Sequence, residues 1–195
     1  VSRTGESQRV TGETDVRVRV NLDGTGRAEI STGVGFFDHM LTLLAHHALI
    51  DLEITARGDL ETGSHHTVED VGITLGQALA AALGDRAGIE RYGWALVPMD
   101  ECLGQAAIDV SGRPFLACDV ALPYASIGGF ETDLLEEFLR GVVNNARLTV
   151  HLRMLAGSNP HHVIECGFKA VARALRAAIT PNDRVTGIPS TKGSL

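Results

Sequence analysis

The sequence predicts an α+β fold, an internally duplicated α/β sandwich in which each half supplies strands plus two helices packed on one sheet face. Two observations carry that prediction. The phrase His-His-x-x-Glu occurs twice, as His65-His66-Thr67-Val68-Glu69 and as His161-His162-Val163-Ile164-Glu165, 96 positions apart. Around each copy the same order of strand-like and helix-like patterns recurs.

The first half opens on strands. Val16, Val18 and Val20 alternate with Arg17 and Arg19, and Asp23-Gly24-Thr25-Gly26 reads as a hairpin turn. Phe37 to Leu44 follows as an apolar helix. Asp51 to Arg57 alternates as a strand that ends eight residues before His65. Residues 65–83 carry Val68, Val71, Leu75, Leu79 and Leu83 at helical spacing, with Gly84 as the stop.

The second half repeats the order. Ala106 to Val110 leads through Ser111-Gly112 to a strand from Pro114 to Val120, then to a helix at Leu134 to Leu139. Arg147 to Arg153 is the strand before the second motif, with His151 a structural member of it. Residues 161–179 form the last helix, with Ile164, Phe168, Val171, Ala172 and Leu175 on its apolar face. Asn159-Pro160 supplies a cap and a first-turn proline, and Thr180-Pro181 stops the helix. The halves are expected at residues 1–90 and 91–195, the second ending in a C-terminal tail. No Pro/Ser-rich linker separates them, so they form one domain.

Composition narrows the function. With 44% hydrophobic and 21% charged residues, the chain is an ordinary globular protein. Its net charge of -7 and lack of a long Lys/Arg run argue against nucleic acid as a partner. No apolar stretch is long enough for a membrane span and no secretory leader opens the chain, so a cytoplasmic location is expected. Cys102, Cys118 and Cys166 lack CxxC spacing and read as reduced, mostly buried thiols.

The doubled motif points to metal. On a helix, residues i and i+4 share a face whereas i+1 is turned away by about 100°. His65 with Glu69, and His161 with Glu165, can therefore each chelate one ion. His66 and His162 are left over, and each is expected to complete the opposite site. Imidazole and carboxylate without thiolate suit Mn, Fe or Zn. The repeat also nominates His39, 26 residues before His65, and Glu137, 24 residues before His161, as further ligands. One of His46 and His47 is expected to face substrate. A metal-storage protein and a two-metal hydrolase are the rival readings; the latter would want bridging carboxylates, which this imidazole-rich set lacks.

Several runs together resemble one family. Gly35-Phe36-Phe37-Asp38-His39-Met40-Leu41, the two His-His-x-x-Glu helices, Asp109-Val110-Ser111-Gly112-Arg113-Pro114, Phe168-Lys169-Ala170 and Ile188-Pro189-Ser190-Thr191-Lys192-Gly193 look like imidazoleglycerol-phosphate dehydratase, across essentially the whole chain. The resemblance implies a Mn²⁺-dependent hydro-lyase of histidine biosynthesis, taking imidazole glycerol phosphate to imidazole acetol phosphate. It implies two Mn²⁺ ions per active site, flanking the substrate imidazole, with ligands shared between subunits. One ion would take His39, His65, Glu69 and His162; the other would take His66, His161, Glu165 and position 137. The family usually carries a histidine where this chain has Glu137.

The implied mechanism uses an imidazolate bridged between the two metals to expel the C3 hydroxyl, after which a base removes the C2 proton. Glu13 is the implied acid/base, with Glu69 and Glu165 as competing proton carriers. Substrate contacts would come from Glu13, His39 and His47, and the phosphate would be held by Arg91, Arg113, Lys169, Ser190, Thr191 and Lys192. The resemblance further implies a homo-oligomer, a 24-mer with trimers as a subassembly.

Overall fold

The computed structural model describes residues 3–195. Two four-stranded sheets enclose four helices. The first sheet contains β1 (Thr4–Val10), β2 (Thr14–Asn21), β3 (Ala28–Ser31) and β4 (Asp51–Gly58), in the order β1-β2-β4-β3. The second contains β5 (Tyr92–Met99), β6 (Cys102–Asp109), β7 (Phe115–Asp119) and β10 (Thr149–Ala156), in the order β5-β6-β10-β7. The helices are α1 (Gly35–Ala48), α2 (His65–Leu83), α3 (Leu134–Ala146) and α4 (Pro160–Ile179). A small hairpin, β8 (Ser126–Ile127) and β9 (Phe130–Glu131), precedes α3. The duplicated α+β sandwich is thus present, and both sheets have the same topology.

Each half begins with an antiparallel hairpin and ends with a parallel crossover. The hairpins are β1–β2, turning at residues 11–13, and β5–β6, turning at Asp100-Glu101. The expected turn at Asp23–Gly26 is not a hairpin. It carries the chain past β4 to β3, which runs parallel to β4 with α1 as the crossover. Ser111-Gly112 likewise leads to β7, parallel to β10. Parallel neighbours need such a long crossover, and the apolar helix following the turn supplies it. The first strand of each half escaped the sequence reading: β1 has only Val10 as an apolar residue, and Val10 is exposed, whereas β5 carries its large apolar residues Tyr92, Trp94 and Leu96 on the outer face.

The register also refines the repeat. Leu52 lies opposite Val20 and Val150 lies opposite Ile108, so β4 and β10 match at an offset of 98 rather than 96. Arg147, expected in the strand, is instead the left-handed cap of α3, as Leu49 is of α1. His39 and Glu137 each lie ten residues before these caps and are therefore true counterparts. The first half holds two extra residues between β4 and α2, where Leu60–Thr62 forms a 3-10 turn. The hairpins match at an offset of 88. Gly5 faces Val20 and Gly93 faces Ile108, and an added Cβ would come 2.0 Å from Ala78 O in the first case and 2.0 Å from Ala174 O in the second. Glycine is needed at both because α2 and α4 touch the sheet backbone there.

The helices fill the space between the sheets and exchange partners between halves. α2 covers β1 and β2 and packs on α3; α4 covers β5 and β6 and packs on α1. Gly72 and Gly76 let α2 approach the α3 backbone closely, since a Cβ would fall 2.6 Å from Phe138 O and 2.7 Å from Val142 O. Phe37, Phe130, Phe138 and Phe168 are fully buried where the halves meet, with Phe138 stacked on Phe168 at 5.3 Å. Cys102 and Cys166 are buried and Cys118 is half-buried. Burial pushes the Cys102 and Cys118 thiols up to about 11, so at neutral pH they are weak nucleophiles. No helix among the described residues is long and apolar enough to cross a membrane.

Candidate active site

Both His-His-x-x-Glu phrases begin their helices. Asn159 Oδ1 caps α4 by accepting from His161 N at 3.0 Å, and Pro160 occupies the first turn. Ser64 precedes α2 and donates its hydroxyl to Glu131 at 2.8 Å. In both motifs the i,i+4 pair converges as helix geometry requires: His65 Nε2 lies 3.9 Å from Glu69 Oε2, and His161 Nε2 lies 3.3 Å from Glu165 Oε2.

The contact of α1 with α4 builds the first cluster. His39 Nε2 is 3.7 Å from Glu165 Oε2, while Lys169 Nζ holds Glu165 Oε1 at 2.8 Å. Glu165 is only 8% exposed. Burial raises its pKa, but the hydrogen bond and charge of Lys169, with His39 and His161, hold it below the ordinary carboxylate value. The edge of Phe36 packs against the His161 ring at 4.9 Å. His47 also turns toward α4: burial first, then the Lys169 charge, lowers its pKa. His46 is exposed on another face of α1.

The contact of α2 with α3 sets where Glu137 lies relative to the first motif. Gly141, one turn after Glu137, is so close to α2 that a Cβ would fall 3.2 Å from Glu69 O. The Glu137 backbone therefore lies toward the His65–Glu69 end of α2, while its half-buried side chain lines a groove with Cys118, Leu122 and Tyr124 and has Arg140 Nε 3.9 Å from its carboxylate. Within one chain His39 is thus gathered with His161 and Glu165, not with His65 and Glu69, because α1 packs on α4 and not on α2. Among the described residues no three His, Cys, Asp or Glu side chains of the single chain form a finished metal-binding group.

The remaining imidazoles have carboxylate partners of their own. His66 Nδ1 is 3.0 Å from Asp59 Oδ2 and 3.6 Å from Glu13 Oε2. His162 Nδ1 is 2.9 Å from Glu101 Oε2. These hydrogen bonds raise the pKa of both histidines and draw Glu101 down to about 2, chiefly through His162. Asp59 and Glu101 escaped the sequence reading. The missing signal is the hairpin offset of 88, which pairs Glu101 with Glu13 at equivalent turns.

The expected phosphate-binding cations form a separate open groove lined by Arg91, Arg113, Ser190, Thr191 and Lys192. Arg91 is mostly committed. It forks onto Asp109 at 2.7 and 3.1 Å and donates to Pro189 O at 2.8 Å, so it fastens the C-terminal tail. Arg113 and Lys192 are the exposed charges. Leu195 closes the tail against Gly112, where a Cβ would come 2.4 Å from its carbonyl carbon. Lys169 is not part of this groove but lies with Glu165. Arg91 N bonds Ala178 O near the end of α4. Glu165 lies near its start, so groove and imidazoles are roughly 20 Å apart along the helix at about 1.5 Å per residue.

Fold and site together define an internally duplicated α+β enzyme with imidazole–carboxylate half-sites and a distant anion groove. A model of the imidazoleglycerol-phosphate dehydratase family matches residues 32–175. The chain is 55% identical to the imidazoleglycerol-phosphate dehydratase of Desulforamulus reducens and 56% identical to that of Moorella thermoacetica, over the full length of each pair. The crystal structure of the Staphylococcus aureus enzyme superimposes with a TM-score of 0.83 at 42% identity, covering 92% of this chain and 99% of the other. The chain belongs to the imidazoleglycerol-phosphate dehydratase family of hydro-lyases.

Proposed function

We propose that the protein eliminates water from imidazole glycerol phosphate to give imidazole acetol phosphate in histidine biosynthesis, using two Mn²⁺ ions at an active site shared between chains. One observation carries the sharing. The cationic groove and the imidazole clusters sit near opposite ends of α4, a separation that the three-carbon chain between the substrate's imidazole and phosphate does not span. A neighbouring chain must bring its groove to this chain's imidazoles.

The residues fit the metal. The donors are imidazole nitrogens and carboxylate oxygens without thiolate, a set suited to Mn²⁺. His39, His65, His66, His161 and His162, with Glu69, Glu165 and Glu137, would hold the two ions. Bound metal would supply Lewis acidity, favouring loss of the imidazole N–H. Glu13, exposed beside His66, would carry the C2 proton. His47, on the α4 side of α1 near the Lys169 charge, would contact substrate. Arg113, Ser190, Thr191 and Lys192 would bind the phosphate by charge and hydroxyl hydrogen bonds.

Surface chemistry supports a homo-oligomer, proposed as a 24-mer with trimers as intermediates. Glu6 bonds Arg17 on the outer face of the first sheet, whereas Trp94, 75% exposed, holds the equivalent place on the second. Tyr92 and Leu96 are exposed beside it on β5, and Phe115 is exposed on β7 at the opposite edge of the same sheet. Such an apolar face on a soluble chain favours burial against another copy.

Turnover of imidazole glycerol phosphate by the Mn²⁺-loaded protein, read as product enolate absorbance in alkali, tests the activity. Correctly assembled, metal-loaded protein without turnover would overturn it. Truncation after Gly187 should raise KM at least tenfold, equivalent to about 1.4 kcal/mol of lost binding, while leaving metal content intact. An unchanged KM would remove the tail from the site.

A further inference from the structure

We infer that Asp59 and Glu101 are positioning residues that aim the imidazoles of His66 and His162, and that the Asp59 turn has freed Glu13 for contact with substrate. The inference rests on the two-metal reading and deepens it. The repeat makes the case. Glu13 and Glu101 occupy equivalent hairpin turns, and His66 and His162 are equivalent motif positions.

In the second half the turn glutamate bonds the imidazole directly, Glu101 Oε2 to His162 Nδ1 at 2.9 Å. In the first half the turn glutamate stands off at 3.6 Å, and Asp59 takes the bond at 3.0 Å. Asp59 lies just before the 3-10 turn, in the segment where the first half is two residues longer than the second. The first half therefore sets two carboxylates beside its imidazole where the second sets one, and the nearer of the two is not the turn glutamate.

Both positioning carboxylates are themselves held. Glu101 Oε1 accepts from Asn159 N at 3.0 Å, and Asp59 Oδ2 accepts from Thr62 Oγ1 at 3.0 Å. With each Nδ1 engaged, Nε2 is the nitrogen left to meet an ion. A carboxylate on the far side of a ligating imidazole fixes its tautomer and ring direction and increases its basicity. Asp59 and Glu101 act through the histidines. Glu13, exposed and displaced from the hydrogen bond, is the carboxylate left to reach a reacting carbon.

The test compares Mn²⁺ titrations by calorimetry of wild type, Asp59→Asn, Glu101→Gln, Glu13→Gln and His162→Ala, with kcat measured at saturating Mn²⁺. D59N and E101Q should weaken Mn²⁺ binding by about 10–100-fold, with most of kcat recovered when metal is saturating. E13Q should bind Mn²⁺ like wild type and lose kcat. H162A should lose metal without recovery. Glutamine keeps the Glu101 acceptor for Asn159, so E101Q preserves the start of α4. Normal Mn²⁺ affinity in E101Q and D59N, alongside loss in H162A, would overturn the positioning roles alone. Weakened binding in E13Q equal to that in D59N would overturn the division of labour. A wild-type protein that takes up no Mn²⁺ would overturn the two-metal reading and this inference with it.

Discussion

Replacing Glu165 by glutamine is expected to lower kcat by roughly 10³-fold, the effect of losing several kcal/mol of Lewis-acid assistance. Among the described residues no other side chain joins as many site residues. One carboxylate oxygen faces His161 at 3.3 Å and His39 at 3.7 Å, while the other holds Lys169 at 2.8 Å. Glutamine keeps the shape and can still accept from Lys169, so the fold should survive. Its neutral oxygen is a much poorer ligand for Mn²⁺, and Lys169 would be left as an uncompensated charge beside the imidazoles. Steady-state kinetics with metal analysis checks this: one Mn²⁺ per chain should be lost or greatly weakened. Wild-type kcat with two ions bound would show that Glu165 is only a structural partner of Lys169.

Replacing Phe138 by alanine should destabilise the protein by about 3–5 kcal/mol, the usual cost of emptying an aromatic site in a core. The ring is 1% exposed, lies edge-on to Phe37 at 5.3 Å and stacks on Phe168 at 5.3 Å. It therefore joins α3 to both α1 and α4. Neighbours cannot readily collapse into the gap, because α3 is fixed on α2 through Gly72, Gly76 and Gly141. At about 2–4 °C per kcal/mol for a domain of this size, the melting temperature should fall by roughly 10 °C or more. The melt is best recorded with chelator present, since metal-linked assembly would add stability of its own. A fall of less than about 3 °C would mean that the junction repacks.

Much of this was legible in one dimension. The α2 and α4 spans, their stops and the Asn159-Pro160 start follow from apolar spacing and capping chemistry, which are local. The convergence of both i,i+4 His–Glu pairs follows from the helix repeat. The pairing of His39 with Glu137 followed from spacing alone, and the equal distance of each from a left-handed cap supports it.

Strand partners were less accessible. β1 is polar on its visible face, and the Asp23–Gly26 turn carries hairpin residues while serving a crossover. Turn chemistry fixes a local bend but not which strand the chain meets next.

The sequence by itself determined the duplication, the helices and the supply of imidazoles and carboxylates, because each depends on residues a turn or two apart. Only the tertiary structure decided which helices exchange partners, that Asp59 and Glu101 engage the second histidine of each motif, and that the cationic groove lies far from the motif imidazoles of its own chain. Those relations depend on close backbone approaches and on a two-residue difference between the halves, and packing in three dimensions is what turns such small features into positions.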